Sequence, residues 1–209
     1  MVVANVCGCR VSVDVDASAA RARVRTWKER AANTRPLLEH CAGIMRNDFR
    51  EQFRAGGIPK AWATLSPNTV AAKRGMGLPG KSAKGRIFWR LKQQGEYGPA
   101  SILIATGALR DSYGVKGAKG HIEKIDPAKN ELVIGSALKI AQYHQYGTPG
   151  PYRIAPVAKK ALAFMTSGGW TIRRSVMHPG LRARPVVVTD YAKSKMVEAM
   201  QRWLEGATL

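Results

Sequence analysis

The sequence predicts an α+β protein: N-terminal helices packed on a largely antiparallel β-sheet, with a C-terminal helix and a long basic loop. Two observations lead there. Helical periodicity is strongest towards the two ends of the chain, and the middle is a series of short apolar runs. Those runs are joined by turn-forming clusters and not by the helical crossovers that a parallel sheet needs. A chain of 209 residues, 45% of them hydrophobic, can bury one good core. We therefore read 1–209 as a single domain, with 1–16 as an N-terminal strand or arm and 60–97 as a long basic surface loop.

The elements follow in order. In "RVSVDVD" (Arg10–Asp16) three valines alternate with polar residues, the pattern of a half-buried strand. Asp16 or Ser18 can cap a helix in which Ala20, Val24, Trp27 and Ala31 recur at three- and four-residue steps. Asn33 or Thr34 with Pro36 starts a second helix, whose apolar stripe is Leu38, Cys41, Met45, Phe49 and Phe53; "GGIP" ends it. From Lys60 to Tyr97 the chain is rich in glycine and cations, apart from a short helical turn at "SPNT" and the cluster "RIFWRL".

"SILIATGALRDSYGV" reads as an apolar run, a Thr-Gly turn and a short helix. "HIEKIDPAKNELVIGS" is a β-hairpin turning at Asp126–Asn130. In "LKIAQYHQYG", Ile140, Tyr143 and Tyr146 fall at helical spacing before Gly147. There we expect Tyr143 in the core and Gln145 at an interface. "ALAFMTSGGWTIRRSV" is a second hairpin, "HPGLRARP" a rigid connector, and "VVV" a last short strand. The closing helix starts near Asp190, with Tyr191, Met196, Met200 and Trp203 as its apolar positions.

Charge narrows the function. Lys and Arg number 34 against 14 Asp and Glu, a formal net charge of +20. Seven cations and no acid lie between Lys73 and Gln94, and eight cations and no acid between Leu132 and Thr189. Such a chain is drawn to polyanions, either nucleic acid or an acidic protein surface. Basic residues interleave with aromatics in "KGRIFWRLK" and "GWTIRRSVMHPGLRARP". No helix-turn-helix, zinc finger or RNA-binding signature accompanies them, so we expect no base readout; the same letters fit either nonspecific contact with DNA or packed core aromatics whose basic neighbours face water.

"GMGLPGKS" (Gly75–Ser82) fits the phosphate-loop pattern G-x-x-x-x-G-K-[ST]. Its flanks do not. "NTVAAKR" stands where a buried strand is required, Pro79 removes a backbone donor, and Gly85 interrupts the following helix. We read it as a basic loop. The histidines His40, His121, His144 and His178 are scattered, and no acid lies between Glu131 and Asp190. Carboxylate-pair and nucleophile–base chemistry therefore lack candidates, and we expect no enzyme. Cys7, Cys9 and Cys41 form no disulfide framework, and the Cys7–Cys9 pair has no second ligand pair for a metal. Reduced, structural thiols are expected. "MVVANVCGCR" lacks the makings of a signal peptide, and no apolar run reaches membrane-spanning length.

Four segments line up with one family. "PKAWATLSPNT" followed by Lys73 resembles a motif of Mu-like phage virion morphogenesis proteins, tail-completion proteins in which Trp, Leu-Ser, Thr and Lys follow the long N-terminal helix. "ILIATGALRDS" is similar to the family's apolar-x-x-Thr-Gly-x-Leu-Arg-x-Ser element. "LVIGSALKIAQYHQYG" resembles the next, a strand ending in Gly, then Tyr-Ala and His-Gln-x-Gly. "HPGLRARP" resembles the His-Pro-Gly…Arg-Pro stretch before the last helix in related phage neck and minor tail proteins. Together they cover most of residues 35 to 205 in the family's order. Ala141 following Ile140 and not a Tyr, "RPVVV" in place of Arg-Pro-Phe-Leu, and a longer basic loop are departures.

The resemblance implies a structural virion protein acting in tail completion or head–tail joining, located at the neck or upper tail and in the host cytoplasm during assembly. It implies a homo-oligomeric ring, often of six subunits, neighbouring neck and tail proteins as partners, and neither catalysis nor a cofactor. A non-virion DNA-binding or packaging accessory protein is the alternative. For interface or polyanion contact we single out Lys73, Arg74, Lys81, Lys84, Arg86, Arg90, Arg110, Gln145, Arg173, Arg174, Arg182 and Arg184.

Overall fold

The computed structural model describes residues 2–6, 9–13, 16–75, 101–166 and 169–209. It is an α+β fold with antiparallel pairing, but among the described residues the strands form four separate two-stranded ribbons and no single larger sheet. In chain order the elements are β1 (Val2–Val6), β2 (Cys9–Val13), α1 (Ser18–Ala32), α2 (Arg35–Ala55), α3 (Pro67–Gly75), α4 (Ala108–Gly114), β3 (His121–Asp126), β4 (Glu131–Ser136), α5 (Lys139–Tyr146), β5 (Tyr152–Ile154), β6 (Leu162–Thr166), β7 (Gly169–Arg173), β8 (Val176–His178) and α6 (Asp190–Leu204). The ribbons are β1–β2, β3–β4, β5–β8 and β6–β7. The strand expected at Arg10–Asp16 is thus the second arm of a hairpin that begins at Val2.

Helix α2 organises the interior. Pro36 sits in its first turn, Gly56 closes it in the left-handed conformation, and Cys41, Ala42, Phe49, Gln52 and Phe53 are buried. α4, α6, β3 and β4 all pack against it. The central cluster is Phe53, Trp62, Ile104, Leu109 and Ala141, flanked by Ile102, Leu103, Tyr113 and Val186. Phe53 meets Trp62 edge-to-face at 5.4 Å between ring centroids, and Phe49 meets Tyr113 in the same way at 5.5 Å. The start of the expected surface excursion, from Trp62 through α3, is therefore packed against the body; the remainder, 76–97, lies outside the described residues.

Three expected apolar faces lie differently. α1 buries none of its residues: Val24 is 52% and Trp27 45% exposed. It is held through another side, where Arg30 stacks over the Trp203 ring at 4.0 Å and donates to the Gly206 and Ala207 carbonyls. On α5, Ile140, Tyr143 and Tyr146 are exposed and Ala141 is buried. On α6, Tyr191 and Met200 are exposed, whereas Ala192, Ala199 and Trp203 are buried. Trp203 is buried as expected, while small residues, Ala141 on α5 and Ala192 and Ala199 on α6, take the other buried positions of these two helices.

"VVV" forms no strand. Residues 182–189 run as an extended strap whose backbone polar groups pair with side chains in place of a neighbouring strand. The Val186 N–H donates to Gln145 Oε1 (3.0 Å), Val187 N–H to Gln52 Oε1 (3.2 Å), and Thr189 N–H to Asp48 Oδ2 (3.1 Å). In return, Gln52 Nε2 donates to the Val187 carbonyl (2.6 Å) and Trp62 Nε1 to that of Pro185 (2.9 Å). A buried backbone group must find a partner, and here α2 and α5 supply it. The expected core position of Tyr143 is thereby corrected. Gln145 clamps the strap, and Tyr143 faces out.

Candidate functional site

An open cleft of about 450 Å3 is lined by pieces of all four segments that carry the resemblance. "PKAWATLSPNT" and α3 contribute Thr64, Ser66, Thr69 and Lys73; "ILIATGALRDS" contributes Ile104, Thr106, Gly107 and Leu109. From α5 come Ile140 and His144, and from the connector His178, Leu181, Arg182 and Arg184. None of the lining residues is acidic.

The four segments are stitched together by the very residues that define them. Arg184, only 9% exposed, donates from Nε to the Ala63 carbonyl (2.9 Å) and from Nη2 to that of Thr64 (3.3 Å). Its own N–H donates to the His144 carbonyl at 2.7 Å. Lys73 Nζ donates to the Ile104 carbonyl at 2.7 Å and also to that of Ser101. Thr148 and Leu181 form an antiparallel bridge at which the two backbones nearly touch. At that crossing a Cβ on Gly147, whose φ is 74°, would fall 2.5 Å from the Leu181 carbonyl oxygen. One on Gly180, whose φ is 88°, would fall 2.6 Å from that of Thr148. Only glycine fits both the left-handed backbone and the space.

Of the singled-out residues, Lys73, Gln145 and Arg184 thus commit their polar heads to their own chain. Arg110 is ion-paired with Asp111 at 2.7 Å. Arg173, Arg174 and Arg182 are exposed. Arg74 lies on α3, and Lys81, Lys84, Arg86 and Arg90 lie outside the described residues. The phosphate-loop match falls mostly outside them too, but its entry is described: the chain reaches Gly75 as helix α3, not as a strand.

A second polar cluster escaped the sequence reading. Glu123, its side chain 8% exposed, is met by Arg46, by His121 Nε2 at 3.2 Å and by Lys116 at 3.5 Å. Burial raises its carboxyl pKa, but the hydrogen bonds from His121 and Arg46 and the charges of Arg46 and Lys116 outweigh that and hold it below the usual value. His121 Nδ1 faces the Ser112 backbone carbonyl at 2.9 Å, while the Ser112 hydroxyl is turned to Ser136 and to the Leu109 carbonyl. Serine, histidine and glutamate are neighbours here, but the hydroxyl and the imidazole are not joined, so the trio ties α4 to the β3–β4 ribbon and is not aligned as a nucleophile and its base. The two-residue step from His121 to Glu123 along one strand face was its one trace in the sequence.

His144 is one of two histidines that line the cleft. Its Nδ1 is buried without a hydrogen-bond partner among the described residues. Burial, and then the Arg184 charge, lower its pKa. The folded chain therefore binds fewer protons than the unfolded chain at mildly acidic pH, so this contribution to stability is complete above about pH 6.5 and falls as the pH drops towards the depressed folded value. Denaturation midpoints should decline over that window, and His144→Gln should flatten the decline. An unchanged profile would contradict the assignment.

Among the described residues no helix is long and apolar enough to cross a membrane, and no group of three or more His, Cys, Asp or Glu is placed to hold a metal. No family model, curated protein or solved structure matches the chain.

Proposed function

We propose that this chain is a non-catalytic structural protein of a tailed phage or prophage particle, acting in tail completion or head–tail joining as a ring of identical subunits. One observation carries the reading. The four segments that resemble Mu-like virion morphogenesis proteins, far apart in the chain, meet at one cleft, and their matching residues hold one another in place. Trp62, Lys73, Gln145, Gly147 and Arg184 do architectural work and leave nothing over for bond-making. Such a pattern suits a chain whose product is a surface.

The outward apolar rows add support for self-assembly. Val24 and Trp27 on α1, Ile140 and Tyr143 on α5, and Val197 and Met200 on α6 are exposed apolar side chains. Contact with copies or with adjoining neck and tail proteins would cover them. The test is native mass measurement with electron microscopy of the purified chain, and protein composition of the phage particles. Rings of uniform copy number, and presence in particles at a fixed ratio, are expected. Val24→Asp combined with Trp27→Asp should abolish the ring and leave the unfolding transition in place, because neither side chain is buried in the subunit. A strictly monomeric chain absent from particles would overturn the proposal.

A further inference from the structure

The cations of the second acid-free stretch are gathered by the fold. Arg153, Lys159, Lys160, Arg173, Arg174 and Arg182 are all exposed. None is ion-paired to a carboxylate among the described residues. Carboxylates on α2, α4, β3 and α6, by contrast, pair with cations of their own neighbourhood, as in Glu51–Arg54, Asp111–Arg110, Glu123–Arg46 and Glu198–Lys195. Charge of the two kinds is therefore segregated along the molecule.

Strand register brings four of these cations to one place. Leu162 on β6 pairs with Arg173 on β7, and Ile154 on β5 pairs with Val176 on β8. Lys159 and Lys160 lie just before Leu162, and Arg174 just after Arg173, so all four flank the same open end of the β6–β7 ribbon. Arg153 extends the group along β5, opposite Met177. α3 packs against β6, so the helix on which the other acid-free stretch begins adjoins the same ribbon.

We propose that this surface, centred on Lys159, Lys160, Arg173 and Arg174, binds the phosphate backbone of duplex DNA without reading its sequence. It deepens the proposed function by naming one partner, and it stands or falls separately, since DNA binding can be measured on the free chain. Two features favour duplex DNA. Protein interfaces are depleted in Lys, whereas Lys159 and Lys160 stand at the centre of this surface beside Arg173 and Arg174, none of them paired to a carboxylate among the described residues. A two-stranded antiparallel ribbon also has the width that a major groove admits, so cations at its base can straddle phosphates.

The experiment measures binding of a labelled random-sequence duplex to the full chain across a salt series. The variant K159Q/K160Q/R173Q/R174Q is compared with R35Q/R54Q/K129Q/K193Q, which removes the same formal charge from cations paired elsewhere. Each phosphate contact adds about 0.9 to the slope of log affinity against log salt, so the first variant, which removes four cations, should lose up to roughly 3.6 from that slope and the second much less. Equal losses would show that net charge alone attracts DNA, and would overturn the proposal. So would a parent chain that ignores duplex and binds polyglutamate. A footprint on the unmodified chain guards against misfolding of the variant: saturating DNA should shield Lys159 and Lys160 from acetylation and leave Lys129 and Lys193 reactive. Equal labelling of all four with DNA bound would likewise overturn it.

Discussion

Trp62→Ala is expected to destabilise the fold by about 3–5 kcal/mol, the range for removing a large buried aromatic. Trp62 is 6% exposed, packs edge-to-face on Phe53, and closes the central cluster from a segment that lies outside any helix or strand. Its ring also carries the N–H that reaches the Pro185 carbonyl 123 positions away. Truncation would open a cavity beside Phe53, Ile104 and Leu109 and would release the strap as well. Trp62→Phe separates the two effects, since it keeps most of the apolar volume and deletes only the donor; a loss nearer 1–2 kcal/mol should follow. Denaturant titration of both variants gives the comparison. Domains of this size are commonly stable by about 5–15 kcal/mol, so the alanine variant would stand close to unfolding at ambient temperature. A shift below about 1 kcal/mol for Trp62→Ala would mean that the cluster does not organise the core.

Helix α2 and both central hairpins were legible in the sequence because each rests on a local signal. In α2 a proline start, a five-residue apolar stripe and a glycine stop agree with one another. At β3–β4 the Asp126 side chain accepts from the Ala128 and Lys129 N–H groups, and Asn130 takes a φ of 53°, which is turn chemistry that sequence can show. The facing of α1, α5 and α6 was not legible. Periodicity identifies a face with large apolar residues, but the choice of which face a helix buries depends on how closely its neighbour must approach. Ala141, Ala192 and Ala199 are buried while Tyr143, Tyr191 and Met200 are exposed. The strap was misread for a related reason: "VVV" has strand propensity, yet its hydrogen bonds go to Gln52, Gln145 and Asp48, which no local pattern links to it. As for the cleft, the four segments were visible as resemblances, while their convergence required the long-range bonds of Trp62, Lys73 and Arg184.

Gln52→Leu should cost about 1–3 kcal/mol, although the new side chain is similar in size and more apolar. Gln52 is fully buried, and its amide grips both polar groups of Val187, with Nε2 also reaching Asp48 Oδ2 at 3.1 Å. Leucine would strip the Val187 N–H and C=O of their protein partners; a buried unpaired group costs about 1–3 kcal/mol, and because Val187 is 38% exposed, water offsets part of the loss for the two together. A purely hydrophobic account of the core predicts the opposite sign, so a denaturation midpoint that holds or rises would show that the strap needs no side-chain clamp. Gln52→Glu sharpens the test. It keeps an acceptor for the Val187 N–H, removes the donor, and sets a second carboxylate against Asp48. Two such groups at hydrogen-bonding distance cannot both ionise cheaply, so one would hold a proton to a raised pKa. The protonated form regains a donor for the Val187 carbonyl. Relative to the unmodified chain, this variant should therefore recover stability as the pH falls from neutrality towards about 5, the reverse of the trend expected from His144. A gap that stays constant across that range would place the cost of the substitution elsewhere than in the paired carboxylates.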